Sequence, residues 1–498
     1  MKAVTPKQMA ELDKKTIAAG TPSDELMERA GEAAAKEILK KKSKGKILVL
    51  SGTGNNGGDG QVIARLLKQD GKDVTLMFPP TEKECRDHFT EDSKRNFDRL
   101  KDVPIIYVGD AGLESAKKEI SEASVIVDSL LGTGYDTDRP LREPLPELID
   151  AVNESPAYVV AVDIPSGLNG TNGQVGQAAV RADKTVIIQA PKTGEMLGDG
   201  PDCTGKPVIV DIGIDTDDPD IHTELLEQKE VGFPVQRKKN SHKYTYGRVL
   251  VVAGSKGMTG AGAMAVSGAI LSGAGLVTAF VPEEVYPIAA SIMPHEAMVK
   301  PYNYIVRPED LAQIRTDMIL FGPGLGRHMD YSGLLSTLMS GKIPLVIDAD
   351  GLWHMRNILG DLKASKVPVV LTPHAGEFAM LLDTTVPDLM KAPADKTAAF
   401  AKEYGVTVVM KGYHTMIADP DGSLWFNTTG NPGMATAGAG DVLAGMIAGI
   451  AAQTHDLTKA AKAGVFYHGL AGDWYAARYG ETTLTAGSIL DSLKYVLK

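Results

Sequence analysis

Short apolar runs alternate with amphipathic stretches along the whole chain, and most of the runs end in glycine, aspartate or a small polar residue. Residues 6 to 42 carry two helical patterns, MAELDKKTIAAG and DELMERAGEAAAKEIL, with Ser23 placed to cap the second. A strand, KILVLS, leads into the glycine-rich turn Gly52 to Gly60, and the helix QVIARLLKQ follows. This is G-x-G-x-x-G in the strand-turn-helix context that gives the motif meaning. An ordinary dinucleotide fold would place an acid about 20 residues on, at the end of the second strand. Here that strand, DVTLMF, ends in Pro79-Pro80, so hydride transfer is weakened while phosphate or nucleotide binding survives.

Three more strands end in polar tips: VIVDSLLGTGYDTD, VVAVDIPSG and TVIIQAPKTG. Apolar runs separated by helical segments predict a parallel sheet covered on both faces, with ligands at the carboxyl ends of its strands. The charged stretch DTDDPDIHTELLEQKEVGFPVQRKKNSHK then reads as a linker. Beyond it GRVLVVAG opens a second α/β unit, followed by MILFGPGLG, LVIDADG, VVLTPHAGE and a hairpin, VTVVMKGYHTMIADPDG, turning at Pro420-Asp421-Gly422. The expected boundaries are 1–215 for the first domain, 216–235 for the linker and 236–498 for the second domain.

Near the end, NPGMATAGAGD precedes the small, apolar helix VLAGMIAGIAAQ. Gly438, Ala439 and Gly440 then sit at that helix's first turn, where unpaired N–H groups and the helix dipole gather an anion. Asp441 faces the same point. An acid beside an anion hole suits phosphoryl transfer, the carboxylate taking a proton from the attacking hydroxyl. The alternative is a glycine-rich connection in which Asp441 is an ordinary cap.

Composition narrows the classes. A chain of 498 residues holds two or three domains, and its net charge of -11 argues against nucleic acid, so a polyanionic ligand must be held by local groups. Cys85 and Cys203 stand far apart, which excludes a disulfide framework or a paired-cysteine zinc site and fits the cytoplasm. The N-terminus carries charges where a signal peptide needs an apolar run. Residues 257 to 282 lack charge, yet they read as a buried helix and a buried strand rather than a membrane span, so no membrane partner is expected. Gly200 to Lys206 nearly spells a P-loop but Pro207 replaces the magnesium-binding hydroxyl, His295-Glu296 lacks a second His, and Ser166 lacks a nucleophile elbow.

PSDELMERAG, SGTGNNGGDG, DSLLGTG and VDIPSG together resemble the NAD(P)H-hydrate epimerase domain. HKYTYGRVLVVAGSKGMTGAGAMA, GAGLVT, GPGLG, LTPHAGE, MKG and NPGMATAGAGDVLAG resemble the nucleotide-dependent NAD(P)H-hydrate dehydratase domain. The resemblance covers essentially the whole chain, in the fused order of the bifunctional repair enzymes. It implies an N-terminal Rossmann-like three-layer domain and a C-terminal ribokinase-like α/β domain. Two departures are visible: Ala375 where the family often has Pro, and DADGLW where DADALN is usual.

For the first domain the resemblance implies that Asn55, Asn56, Gly57, Gly58 and Asp59 hold the hydrated dinucleotide with Gly132, Thr133 and Gly134. Tyr135, Asp136, Thr137 and Asp138 continue that second loop. Asn56, Asp128 and Ser166 would offer oxygens to a potassium ion. Asp163 would bind the damaged nicotinamide ring and shuttle a proton, with Lys192 as acid or charge partner. For the second domain it implies phosphorylation of the C6 hydroxyl of the S-hydrate and elimination of phosphate, with Asp441 as base over Gly438, Ala439 and Gly440. Lys411, Gly412, Tyr413, His414 and Thr415 would line the nucleotide site; Ala261, Gly324 and His374 would contact the hydrate. Magnesium with ADP, or alternatively ATP, is implied, with Glu377 a candidate acid near the metal, and a homo-oligomer is expected. The rival readings are a sugar or vitamin-precursor kinase carrying a regulatory dinucleotide-binding domain, and a non-catalytic dinucleotide-binding protein.

Overall fold

The structure, a computed structural model, describes residues 1–303 and 305–498. It divides into two compact units, Lys2–Ile221 and His222–Lys498, with Met1 grouping with the second.

In the first unit, β1 (Ile47–Ser51), β2 (Val74–Phe78), β3 (Ile105–Tyr107), β4 (Val125–Ser129), β5 (Tyr158–Val162), β6 (Lys184–Ile188) and β7 (Lys206–Val210) form one sheet ordered β3-β2-β1-β4-β5-β6-β7. Every pairing is parallel. Helices α1 (Pro6–Ala18), α2 (Ser23–Leu39) and α3 (Asn55–Gln69) cover one face. The two-residue period decides which side chains meet them: Ile47 and Val49 join the core under these helices, whereas Leu48 and Leu50 join the core on the opposite face. Both faces being covered, the strands read as continuous apolar runs. The strand order reverses between β1 and β4, so the turn after β1 opens at the crevice where such sheets bind ligands.

Ser23 is the first helical residue rather than a cap, and Pro22 stands at the cap position without a side-chain bond. The capping box lies one helix earlier, where Thr5 and Gln8 satisfy each other's backbone N–H groups.

The second unit holds β8 (Thr223–Leu226), β9 (Arg248–Val252), β10 (Leu276–Pro282), β11 (Met298–Tyr302), β12 (Met318–Phe321), β13 (Leu345–Ile347), β14 (Val369–Leu371), β15 (Thr407–Met410), β16 (Met416–Ala418) and β17 (Leu424–Asn427). They make one sheet ordered β11-β10-β9-β12-β13-β14-β15-β16-β17-β8. The pairs β15–β16 and β16–β17 are antiparallel, and the second turns at the expected Pro420–Gly422. The expected linker 216–235 is corrected here: it contains β8, which pairs parallel with β17, and a short helix, Gln228–Val231. Leu225 and Leu226 are buried, so this stretch closes an edge of the sheet and its charges lie to either side.

The uncharged stretch from 257 forms a helix, Thr259–Leu271, and then β10. Small residues are needed there because the helix packs against Ala439–Thr454 at close range. A Cβ on Gly445 would stand 2.0 Å from the Ala265 carbonyl oxygen, and one on Gly268 would stand 2.4 Å from that of Val442. Among the described residues no helix is long and apolar enough to cross a membrane.

Candidate active sites

The first unit contains a cavity of about 1020 Å³ at the carboxyl ends of β1, β4 and β5. Asn55, Asn56, Gly57 and Asp59 line it from the start of α3, and Gly132 to Asp136 from the turn after β4. Three expected residues do not line it. Gly58 faces Met27, whose sulfur a Cβ would meet at 2.6 Å, and Thr137 and Asp138 lie beyond the stretch that reaches the wall. Asp163 reaches the cavity from the end of β5 in a left-handed backbone conformation, φ 65°. Its Oδ1 accepts from the Ile188 amide at 3.1 Å and from the Lys192 ammonium, which is wholly buried and also donates to the Ile188 carbonyl at 3.3 Å.

Two further acids share this wall or its backing, and neither stands out in the sequence. Asp13 lines the cavity from α1, and burial followed by repulsion from Asp163 pushes its carboxyl up to about 6. Glu195 is buried behind Lys192, accepts that residue's amide at 2.7 Å, and is pushed up to about 8 by burial. Asp59 is held well above the usual carboxylate range by burial, then by Asp163 and Asp13. A local context such as ELDKK gives no sign that its aspartate turns inward, because that depends on how α1 docks.

Beside the cavity, Asp128 and Ser166 bond each other, and Asn56 and Ser166 both bond the Leu131 backbone. Ser166 donates its hydroxyl to Asp128 Oδ1 at 2.6 Å and its amide to Oδ2 at 2.8 Å; the Leu131 amide donates to Ser166 Oγ at 2.8 Å. Asn56 donates to the Leu131 carbonyl at 2.7 Å, and its Oδ1 is buried without a hydrogen-bond partner among the described residues. Burial raises the Asp128 carboxyl to about 6 against the pull of the Ser166 and Leu130 donors.

In the second unit the turn before the helix Ala439–Thr454 is set by Gly438, whose φ of 88° requires glycine. Asp473 fixes the approach, accepting from the Gly430 amide at 2.8 Å and from Asn431 at 2.9 Å. The Ala439 amide leans on the Thr436 carbonyl at 3.4 Å, while those of Gly438, Gly440 and Asp441 have no protein partner among the described residues. Behind the turn, burial pushes His468 down to about 4, so the ring is neutral as it bonds the Ala439 backbone.

Asp441 stands on the first turn of that helix. Burial, then repulsion from Asp348, raises its carboxyl to about 7, against the attraction of Lys411. Lys411, however, gives its hydrogen bond to Asp348 at 2.8 Å, where Thr372 also donates at 2.8 Å. Burial alone would lower the Lys411 ammonium, but Asp348 and Glu377 more than offset it. A Cβ on Gly440 would lie 3.4 Å from the Lys411 nitrogen, which places the ammonium beside the glycine turn. Asp348 is the residue that sequence reasoning missed; its place at the end of β13, in LVIDADG, was the available signal.

The remaining expected residues divide. Gly324 and Ala261 are neighbours, since a Cβ on Gly324 would stand 2.9 Å from that of Ala261. Their loop is tied towards Asp441 through Asp350, which accepts from the Gly326 amide at 2.9 Å and adds to the repulsion on Asp441. His374 caps the helix Ala375–Leu381: its Nδ1 accepts from Gly376 at 3.0 Å and Glu377 at 3.2 Å, leaving Nε2 to carry the proton, 3.5 Å from Glu377 Oε1. Ala375 is the first residue of that helix, a position that suits Pro equally, so this departure leaves the backbone unchanged. Gly412 and Tyr413 are exposed, whereas His414 bonds the Asn427 carbonyl at 2.8 Å and Thr415 bonds that of Gly412 at 3.1 Å. Those last two side chains are committed to the hairpin.

Comparison with known proteins adds a second line of observation. A family profile described as NAD(P)H-hydrate dehydratase matches residues 249–494, and one described as YjeF-related protein N-terminus matches residues 23–194. The bifunctional NAD(P)H-hydrate repair enzyme Nnr of Moorella thermoacetica is 35% identical over 100% of this chain and 97% of its own length. That of Escherichia coli is 33% identical over 95% of this chain and 89% of its own. A crystal structure of the ADP/ATP-dependent NAD(P)H-hydrate dehydratase from Bacillus subtilis, co-crystallized with ATP/Mg2+, covers 55% of this chain and 97% of its own at 30% identity and a TM-score of 0.49.

Proposed function

The chain belongs to the bifunctional NAD(P)H-hydrate repair enzyme family, and from that membership we propose how its two sites divide the work. The first unit is an NAD(P)H-hydrate epimerase and the second a nucleotide-dependent NAD(P)H-hydrate dehydratase.

In the dehydratase site, Asp441 takes the proton of the C6 hydroxyl of the S-hydrate as that oxygen attacks the terminal phosphoryl group of the nucleotide. The free amides of Gly438, Gly440 and Asp441 and the ammonium of Lys411 receive the phosphoryl oxygens. Hydroxide is a poor leaving group and phosphate a good one. Phosphate then departs with the C6–O electron pair while C5 gives up a proton, and reduced nicotinamide is restored. The observation that carries this reading is Asp441 itself, an acid raised to about 7 on a turn where the Gly438, Gly440 and Asp441 amides have no protein partner among the described residues.

ADP is the donor we favour, with ATP the alternative. No group of three or more metal-binding side chains occurs among the described residues, so magnesium would be held mainly through the nucleotide's phosphates, with Glu377, 3.9 Å from the Lys411 ammonium, an acid that would assist. In the epimerase unit the orphaned Oδ1 of Asn56, with Asp128 and Ser166, makes an all-oxygen set that fits potassium. That ion would supply fixed positive charge beside the loops that hold the hydrate. Asp163, anchored by Lys192, binds the damaged ring.

The test is recovery of the near-ultraviolet absorbance of reduced nicotinamide from S-hydrate, with ADP and ATP compared side by side. A phosphorylated product that accumulates without that absorbance would point to an ordinary small-molecule kinase instead.

A further inference from the structure

Inverting the configuration at C6 means breaking a bond at that carbon and remaking it on the other face of the ring. One proton must be delivered and one removed, so a single acid–base group is not enough. Asp163 cannot easily serve as both, because its Oδ1 is held by the Lys192 ammonium and the Ile188 amide.

Asp13 and Asp59 line the same cavity from two other elements, α1 and α3. Their carboxyl groups make no hydrogen bond or ion pair with the protein among the described residues. A half-buried carboxyl without a partner is costly unless it carries a proton or meets a ligand. The groups facing the pair are Asp163 at the end of β5, Lys192 after β6, and each other; of the remaining charged residues on the wall, Asp92 is half-buried and paired with Arg95, while Glu84, His88, Asp136, Arg139, Arg142 and Glu143 are exposed.

From this placement we propose that Asp13, with Asp59 as its proton-sharing neighbour, is a second proton carrier of the epimerase and works in sequence with Asp163. The inference rests on the epimerase reading of this unit. One carboxyl, protonated, gives its proton to the C6 hydroxyl; the oxygen leaves as water with the C–O pair, and the N1 lone pair closes a C6=N1 iminium. Water then adds to the opposite face, the iminium π pair returns to N1, and the second carboxylate takes the released proton. Atoms and charge balance, and the two carboxyls finish with their protonation exchanged, ready for the reverse reaction. The shift of Asp13 to about 6 agrees with a group that changes state near neutrality.

The experiment measures conversion of R-hydrate to S-hydrate by the full-length protein, coupled to its own dehydratase. Wild-type turnover of R-hydrate tests the epimerase reading alone; its absence removes that reading whatever the variants do. Given that turnover, Asp13→Asn is expected to lower kcat roughly 100-fold, leave KM within about threefold, and erase the pH-dependence of kcat near neutrality. Asp13→Glu should recover a substantial part of the rate. Thermal unfolding by circular dichroism should show Asp13→Asn at least as stable as wild type, because one of several crowded acids has gone. Asp13→Asn turning over R-hydrate at the wild-type rate with an unchanged pH profile would overturn the proposal, as would failure of Asp13→Glu to recover any rate in a folded protein.

Discussion

Each site places a lysine among several carboxyl groups, wholly buried as Lys192 in the first unit and half-buried as Lys411 in the second, yet the two lysines choose differently. In the first unit Lys192 pairs with Asp163, an acid on the cavity wall, and the raised values fall on Asp13 and Asp59. In the second, Lys411 hydrogen-bonds Asp348, and Asp441, left with only a distant share of that cation, is raised to about 7. The lesson is that the acid left without the lysine's hydrogen bond is the one whose carboxyl is raised towards neutrality. The same logic underlies the proposed roles of Asp441 as a base and Asp13 as a proton carrier.

The largest expected effect breaks the comparison on the side of the base. Asp441→Asn should lower S-hydrate turnover by roughly 1,000-fold or more while nucleotide binding, followed by calorimetry, is retained. A folded variant that keeps both ligands and the wild-type rate would remove the assignment. Next, Lys411→Met leaves Asp348 buried and unpaired, which should cost on the order of 3 kcal/mol in chemical denaturation. It also removes the attraction of Lys411 that lowers Asp441, so the acid limb of the pH–rate profile should move to higher pH.

A subtler test concerns the potassium set. Asn56→Ala deletes the orphaned oxygen, and R-hydrate epimerisation should then need roughly tenfold more potassium for half-maximal rate. The smallest effect is on stability. Because the folded Asp441 carboxyl is raised from 3.8 to about 7, the native state binds the extra proton, and the stability this gives is lost as pH rises through about 7. Asp441→Asn should therefore be more stable than wild type at pH above about 8, by on the order of 1 kcal/mol, with the gap closing towards pH 4. Urea denaturation at the two pH values measures it.

Much of this was legible in the chain itself. Continuous apolar runs ending in glycine and aspartate gave away strands covered on both faces, and the glycine turns at Gly52 to Gly57 and Gly438 to Gly440 marked the two sites. Those features are local: a run of buried residues, a backbone turn only glycine can make, an acid at a helix start. The edge strand β8 was hidden because its Leu225 and Leu226 sit among charged residues, and its partner β17 lies about 200 residues away.

Which acid each lysine would neutralise could not be read at all. Lys192 meets Asp163 across 29 residues, and Lys411 meets Asp348 across 63. Asp13 turns towards Asp163 only once α1 has docked on the sheet. The sequence determined the strands, the turns and the stock of ionisable groups. Only tertiary packing decided which of those groups share a low-dielectric site, and a charge's energy depends on its neighbours in space rather than along the chain.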